Sequence, residues 1–342
     1  MKGSSGTFFG RTGMFWLLLK ALDRCYGGCI EKVNFPQSLI DDPMRLMPKS
    51  EINRYIDLLA KHVNDPLFVA KGGAKLDFKD LPILDELVLN SPVLFTAIVR
   101  FNYLANTLES GSKCYTERTS QFTKWCYEVS TPVLYERLFS SVFAVWKYIH
   151  VLRHFIGENF TPVTIYLPGT RLGKKGGAEK IFGCPVIWNS KRAEVWFDRD
   201  LLPTFSNQIK RSQNNVPTLK LLKYANMPDS SDLSRCVFEV VNYARAYGYP
   251  KLDTIAKIME VSPLTLQRKI QKQSFSFSEL VKYQLIYILA PNMLLDGYNI
   301  DYIAKELGFN NPQSFVKAFK KSHQITPNQY IEILNDRGAI IG

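Results

Sequence analysis

Hydrophobic positions recur every three or four residues through most of the chain, which is the pattern of amphipathic helices. The stretch 11–35 reads as a helix broken at Gly27-Gly28, and 36–48 as a loop containing prolines and aspartates. Ser50 is placed to cap EINRYIDLLAKHV, with Ile52, Tyr55, Ile56 and Leu59 on one face. Gly72-Gly73 ends LFVAK, and 85–89 and 92–108 return to the helical period. After Gly111 the period changes to two. SKCYTERTSQFTKWCYEVS alternates aromatic and polar residues and is rich in Thr and Tyr, as strands are. A long helix is expected over 133–155 and a short buried strand over 161–167. Then follow a loop, RLGKKGGAEK, a strand-turn-strand segment, and a short helix capped by Asp200. From Leu233 onward the chain reads as helical nearly to its end.

The fold class expected is therefore an α+β N-terminal domain over 1–210 and an all-α C-terminal domain over 233–342, joined by a polar linker over 211–232. The C-terminal part repeats itself. LDTIAKIMEVSPLTLQRKI and IDYIAKELGFNNPQSFVKAFKK align at an offset that drifts only from 48 to 50 residues. Each copy is a short helix, a turn and a basic second helix, so two helix-turn-helix units are expected at about 251–273 and 300–322. The second helices open on Ser262-Pro263 and Asn311-Pro312, a cap residue followed by a proline suited to the first helical position. Leu266 and Ile270, and likewise Phe315 and Phe319, point inward. Ala256 and Ala304 let the two helices of each unit cross closely.

Charge changes the picture locally rather than globally. The net charge of +12 is not concentrated at the C-terminal end, but 262–273 and 310–321 each carry three basic residues and no acidic one. The candidate DNA-contacting residues are Ser262, Thr265, Gln267, Arg268, Lys269 and Lys272 in the first unit. In the second they are Asn310, Asn311, Gln313, Ser314, Lys317, Lys320 and Lys321. Lys and Arg offset phosphate charge, while Gln, Asn, Ser and Arg reach base edges in the major groove.

These residues resemble the AraC/XylS transcription regulators. The second unit carries I-x-x-I-A-x-x-L-G-F through Ile300, Ile303, Ala304, Leu307, Gly308 and Phe309, followed by Ser314-Phe315, Phe319-Lys320 and Thr326 to Tyr330. The first fits through Leu252, Ile255, Ala256, Ser262, Leu266 and Arg268. The resemblance implies two subdomains joined by one helix, with their recognition helices in successive major-groove segments. The joining helix departs from the family pattern: it lacks the usual arginine between Val281 and Leu295, and Pro291 is expected to kink or end it. Phe182 to Val186 and Asp198 to Pro203 resemble the arabinose-binding-like domain of one branch of the family. That implies an effector-sensing and dimerising role.

The partners expected are double-stranded DNA, a small-molecule effector, RNA polymerase and a second copy of the chain. Trp125, Tyr127, Trp188 and Trp196 are candidate pocket-lining residues. No cofactor or metal is expected: His150 and His154 have an i, i+4 spacing without a third ligand, and the six cysteines form no zinc pattern. RLGKKGGAEK lacks the endings of phosphate loops, and no nucleophile motif occurs. No run approaches a membrane span, so a cytoplasmic activator is expected. Two rivals stay open: a ligand-independent regulator whose N-terminal domain only mediates protein contacts, and an enzyme fused to a DNA-binding tail.

Overall fold

The computed structural model describes residues 6–130, 134–206, 227–273 and 275–338. Most of the expected linker lies outside these residues. The N-terminal part begins with strand β1 (Phe9–Arg11) and helix α1 (Thr12–Tyr26). Short helices α2 (Cys29–Val33) and α3 (Gln37–Ile40) precede β2 (Leu46–Pro48) and α4 (Lys49–Val63). Helices α5 (Phe68–Gly73) and α6 (Leu94–Leu108) lead to the hairpin β3 (Ser112–Arg118) and β4 (Phe122–Val129). Next come the long α7 (Leu134–Ile156), β5 (Thr164–Tyr166), α8 (Gly177–Phe182), β6 (Val186–Ile187) and β7 (Ala193–Asp198). Five strands form one sheet in the order β3-β4-β7-β5-β6, antiparallel except for β5 with β6.

Alternation puts Trp125, Tyr127, Val195 and Phe197 on the buried face of this sheet, against α7. There Trp125 stacks on Tyr148 of α7 at 4.1 Å and donates to Asn102 Oδ1 at 2.8 Å. Trp196 faces the other way, under Lys124 Nζ at 4.3 Å. Strands β1 and β2, which pair antiparallel with Gly10 opposite Met47, were not expected. At three residues each they are too short to show alternation, and β2 lies within the segment read as a loop. Asp200 is not a cap: it sits inside a 3-10 turn, Arg199–Leu201.

The C-terminal part is helical: α9 (Leu233–Ala244), α10 (Leu252–Ile258), α11 (Pro263–Gln271), α12 (277–295), α13 (Ile300–Glu306), α14 (Pro312–His323) and α15 (Pro327–Gly338). It packs on the N-terminal part through β2 against α9. Ser50 does not cap α4, which starts one residue earlier, at Lys49, and has no side-chain cap. Its hydroxyl instead donates to the carbonyl of Ile258, at the end of α10, at 2.6 Å. A terminal carbonyl that no helix can satisfy is thus satisfied across the domain border. One helical turn on, Tyr55 OH meets Tyr247 OH at 2.6 Å. Tyr247 meets Tyr243 at 3.0 Å, and Tyr243 donates to Glu51 at 3.2 Å.

A buried ion cluster closes the joint. Arg245 bonds both the backbone carbonyl and the carboxylate of Glu306, the latter at 3.1 Å. Arg45, from the N-terminal part, approaches the same carboxylate at 3.6 Å and Asp42 at 3.2 Å. All three of Arg45, Arg245 and Glu306 are buried. Burial, with Arg45 beside it, pulls Arg245 down to about 10. Next to this cluster, Gly308 turns the chain with φ +80°, and a Cβ there would stand 2.5 Å from the backbone of Gly248. Both its left-handed backbone and this contact demand glycine. The equivalent place in the first unit holds Glu260 at φ +57°, exposed to solvent.

Two predictions follow from the joint. Glu306→Ala leaves the buried Arg245 without its carboxylate and Arg45 with Asp42 alone, and is expected to cost about 3–5 kcal/mol. Ser50→Ala is expected to cost about 1 kcal/mol. Denaturant midpoints check the order, and an unchanged midpoint for Glu306→Ala contradicts it. Gly308→Ala is expected to lower the melting temperature by several degrees, as a loss of about 1–3 kcal/mol does, whereas Glu260→Gly changes it little. Equal effects of the two substitutions in a thermal melt count against this account of the turn.

Candidate nucleic-acid interface

Each repeat folds as the spacing predicts. In the first unit Ser262 Oγ accepts from Thr265 N at 3.1 Å, and in the second Asn311 Oδ1 accepts from Ser314 N at 2.8 Å. Pro263 and Pro312 occupy the first helical positions, where a missing N–H costs nothing. Leu266, Ile270, Phe315 and Phe319 are buried, as are Ala256 and Ala304 at the helix crossings. The outer faces carry the candidate contacts. Ser262, Thr265, Gln267, Arg268, Lys272, Asn310, Asn311, Gln313, Ser314, Lys317, Lys320 and Lys321 are all exposed. Lys269 differs: it is half-buried, in a groove it shares with Thr7, Ser230 and Cys236. Among the described residues none of Arg268, Lys269, Lys272, Lys317, Lys320 and Lys321 is in an ion pair, so their charge is available to a polyanion.

The two units are joined by α12. It begins with a capping box, Ser276 with Glu279, and its middle, Tyr283–Leu289, is wound as a π-helix. Pro291 therefore does not end the helix, which continues to Leu295. The wider winding carries the chain past the proline ring. In that register the carbonyl of Leu285 accepts from Ala290. The next one, Ile286, would need the N–H that Pro291 lacks. The ring of His323, at the end of α14, supplies a substitute, its Nε2 lying 3.0 Å from the Ile286 oxygen. His323 also stacks on Phe319 at 4.2 Å. The irregular joint is thus pinned to the second recognition helix.

Behind this interface, α4 has two working faces. Ser50, Glu51 and Tyr55 touch the C-terminal part. Ile52, Asn53, Ile56 and Asp57 line a cavity of about 190 Å³ between α1, α4, α6, α7 and the β3–β4 hairpin. Tyr127 is the only one of the four expected aromatic residues in its lining. Trp125 is core, and Trp196 lies on the other face of the sheet. Trp188 is packed against the core, outside this cavity. At the polar end Lys49 meets Glu109 at 2.8 Å and Tyr127 OH donates to Glu109 at 3.0 Å. Burial alone would raise Glu109, but Lys49, Lys147 and Tyr127 outweigh it and hold the carboxyl below its ordinary value. His150 and His154 line a separate, more polar recess beside Phe78.

The sequence reading missed the residues of the joint and the polar end of the cavity. For Lys147 a signal existed: Phe139, Phe143 and Lys147 fall at four-residue steps on α7, so a charge occupies an apolar stripe. For Ser50, Tyr55, Tyr243 and Glu306 there was none, because their partners are remote in sequence.

Comparison with known proteins agrees with this architecture. The profile of the arabinose-binding N-terminal domain of AraC transcription regulators matches residues 27–204, more than half of the chain. A helix-turn-helix domain profile matches residues 255–333. The porin thermoregulatory protein EnvY of Escherichia coli (strain K12) is 26% identical over 142 residues, which is 42% of this chain and 53% of that protein. The transcriptional regulator AdiY of the same organism is 24% identical over 86 residues, 25% of this chain and 34% of AdiY. These matches span between about a third and a half of the relatives' length. The crystal structure of the transcriptional regulator CdpR from Pseudomonas aeruginosa aligns with a TM-score of 0.41 at 13% identity, covering 92% of this chain and 98% of that one. With its N-terminal domain matched over most of its length and its repeated C-terminal units matched as a helix-turn-helix domain, the chain belongs to the AraC family of transcription regulators.

Proposed function

We propose that this chain is a sequence-specific DNA-binding activator, that α11 and α14 are its recognition helices, and that a small molecule held in the N-terminal cavity controls it. One observation carries the reading. Two capped helices, built alike and joined by one helix, expose Arg268 and Lys317 at equivalent places, among Gln, Asn and Ser side chains and with no acidic neighbour. Arg268 and Lys317 contact phosphate or guanine. Gln267, Gln313 and Ser314 read base edges, and Ser262, Thr265, Lys272, Asn310, Asn311, Lys320 and Lys321 complete the surface. Lys269 joins them once the groove around it opens. Several relatives are transcriptional activators, among them the urease operon transcriptional activator of Escherichia coli, which supports activation as the sign of regulation.

Control by the N-terminal part is supported by the position of α4, one face of which lines the cavity while the other holds α9 and α10. A ligand that shifts α4 changes the Ser50 and Tyr55 contacts and thereby the pose of the first unit. RNA polymerase and a second copy of the chain are the protein partners in this proposal. Phe95, Val99 and Tyr103, at four-residue steps on α6 and 41%, 50% and 58% exposed, offer an apolar stripe for pairing.

Arg268→Ala and Lys317→Ala are each expected to weaken binding to the operator by roughly 1–3 kcal/mol. Fluorescence anisotropy at fixed ionic strength checks this, and unchanged affinity in both variants rejects the two assignments.

A further inference from the structure

We propose that the cavity beneath α4 binds a small monocarboxylate with an apolar body, and that Lys147 Nζ is the counter-ion of its carboxylate. The proposal rests on the effector-controlled reading above and names the chemistry of the effector. Size limits the body. The cavity measures about 190 Å³, and a dry apolar cavity of about 150 Å³ takes a molecule the size of benzene. Room therefore exists for about six carbon-sized groups, at the ~30 Å³ that a water occupies in the liquid. Most of the wall is apolar, from Met14, Leu18, Ile56, Phe101, Leu108 and Phe143, with polar groups added by Asn53, Ser112 and Ser140. A sugar would turn several of its hydroxyls toward the apolar part, at a cost for each.

The head group has one place to go. Lys147 is buried on α7 and lines the cavity. Its Nζ lies over the Phe143 ring, 4.7 Å from the centroid. Among the described residues it makes no hydrogen bond or ion pair. Glu109 acts on it only at longer range and is already held by Lys49 and Tyr127. Two lysines thus face one carboxylate, and a second anion balances the set. Burial holds Lys147 below its ordinary value, with Glu109 opposing that.

Glu136 and Asp57 also line the cavity. A carboxylate seated at Lys147 lies on the side of Glu109 and Lys49, and Lys49 opens α4. The head group therefore acts on the same helix whose next residue, Ser50, caps the first helix-turn-helix unit.

The test is calorimetric titration of the full chain with sodium hexanoate, 1-hexanol and arabinose, repeated on Lys147→Met and Ala105→Leu. Ala105 lines the cavity, so leucine there fills it without removing a charge. Hexanoate is expected to bind the natural chain at least tenfold more tightly than hexanol. Lys147→Met is expected to erase that preference, and Ala105→Leu to weaken both ligands at least tenfold. Equal binding of hexanoate and hexanol to the natural chain overturns the proposal, as do binding of arabinose in place of hexanoate and a preference that survives Lys147→Met. Should Lys147→Met fail to fold, Ala105→Leu decides: hexanoate affinity retained there puts the ligand elsewhere and overturns the proposal. DNA affinity of the ligand-free chain is measured alongside. DNA binding with no hexanoate binding removes the ligand assignment alone, whereas loss of both removes the underlying reading.

Discussion

The grip of two arginines on Glu306 is the constraint on which the rest of the molecule depends. Glu306 ends the first helix of the second unit, Arg245 ends the helix that opens the C-terminal part, and Arg45 belongs to the N-terminal part. One buried carboxylate therefore sets the register of three pieces of chain. Such a cluster contributes little net stability, because desolvation offsets attraction. Its effect is on specificity: any other docking of these pieces leaves an arginine or a glutamate buried without its partner. Gly308 acts in the same place by shape, since only glycine allows the turn to approach the backbone of Gly248.

The two units are consequently not equivalent. The second is anchored by the ion cluster, by Gly308 and by His323, whose ring supplies what Pro291 withholds from the joining helix. The first is tied to the N-terminal part by hydroxyl contacts, Ser50 to Ile258 and the chain of Tyr55, Tyr247 and Tyr243. Hydrogen bonds of this kind contribute on the order of 1 kcal/mol each and are exchanged readily. Under the proposed function, α14 would be fixed and α11 adjustable from the cavity behind α4.

Much of this was legible in the sequence, for reasons that differ by region. The repeat at the C-terminal end carries its own caps, inward apolar pairs and basic faces, all local features, and the structure places them as expected except for Lys269, which is half-buried. The β3–β4 hairpin was legible because its alternation runs long enough to be seen. Strands β1 and β2 were not, being three residues each, and Ser50 was misread as a local cap because serine before a helical run has that meaning by default. Its true acceptor is 208 residues away. Pro291 was read correctly as a disturbance but not as one that a π-helical turn and a remote histidine absorb. Of the four aromatic residues proposed for the pocket only Tyr127 lines it, since periodicity tells which side chains share a face but not which face encloses space.

The central proposal is that α11 and α14 enter DNA together. Hydroxyl-radical footprinting of the purified chain on a site selected from random DNA tests this most directly. Two protected segments on one face of the duplex, about 10 base pairs apart, are the predicted result. A single protected segment that is unchanged when Arg268 or Lys317 is replaced would contradict it.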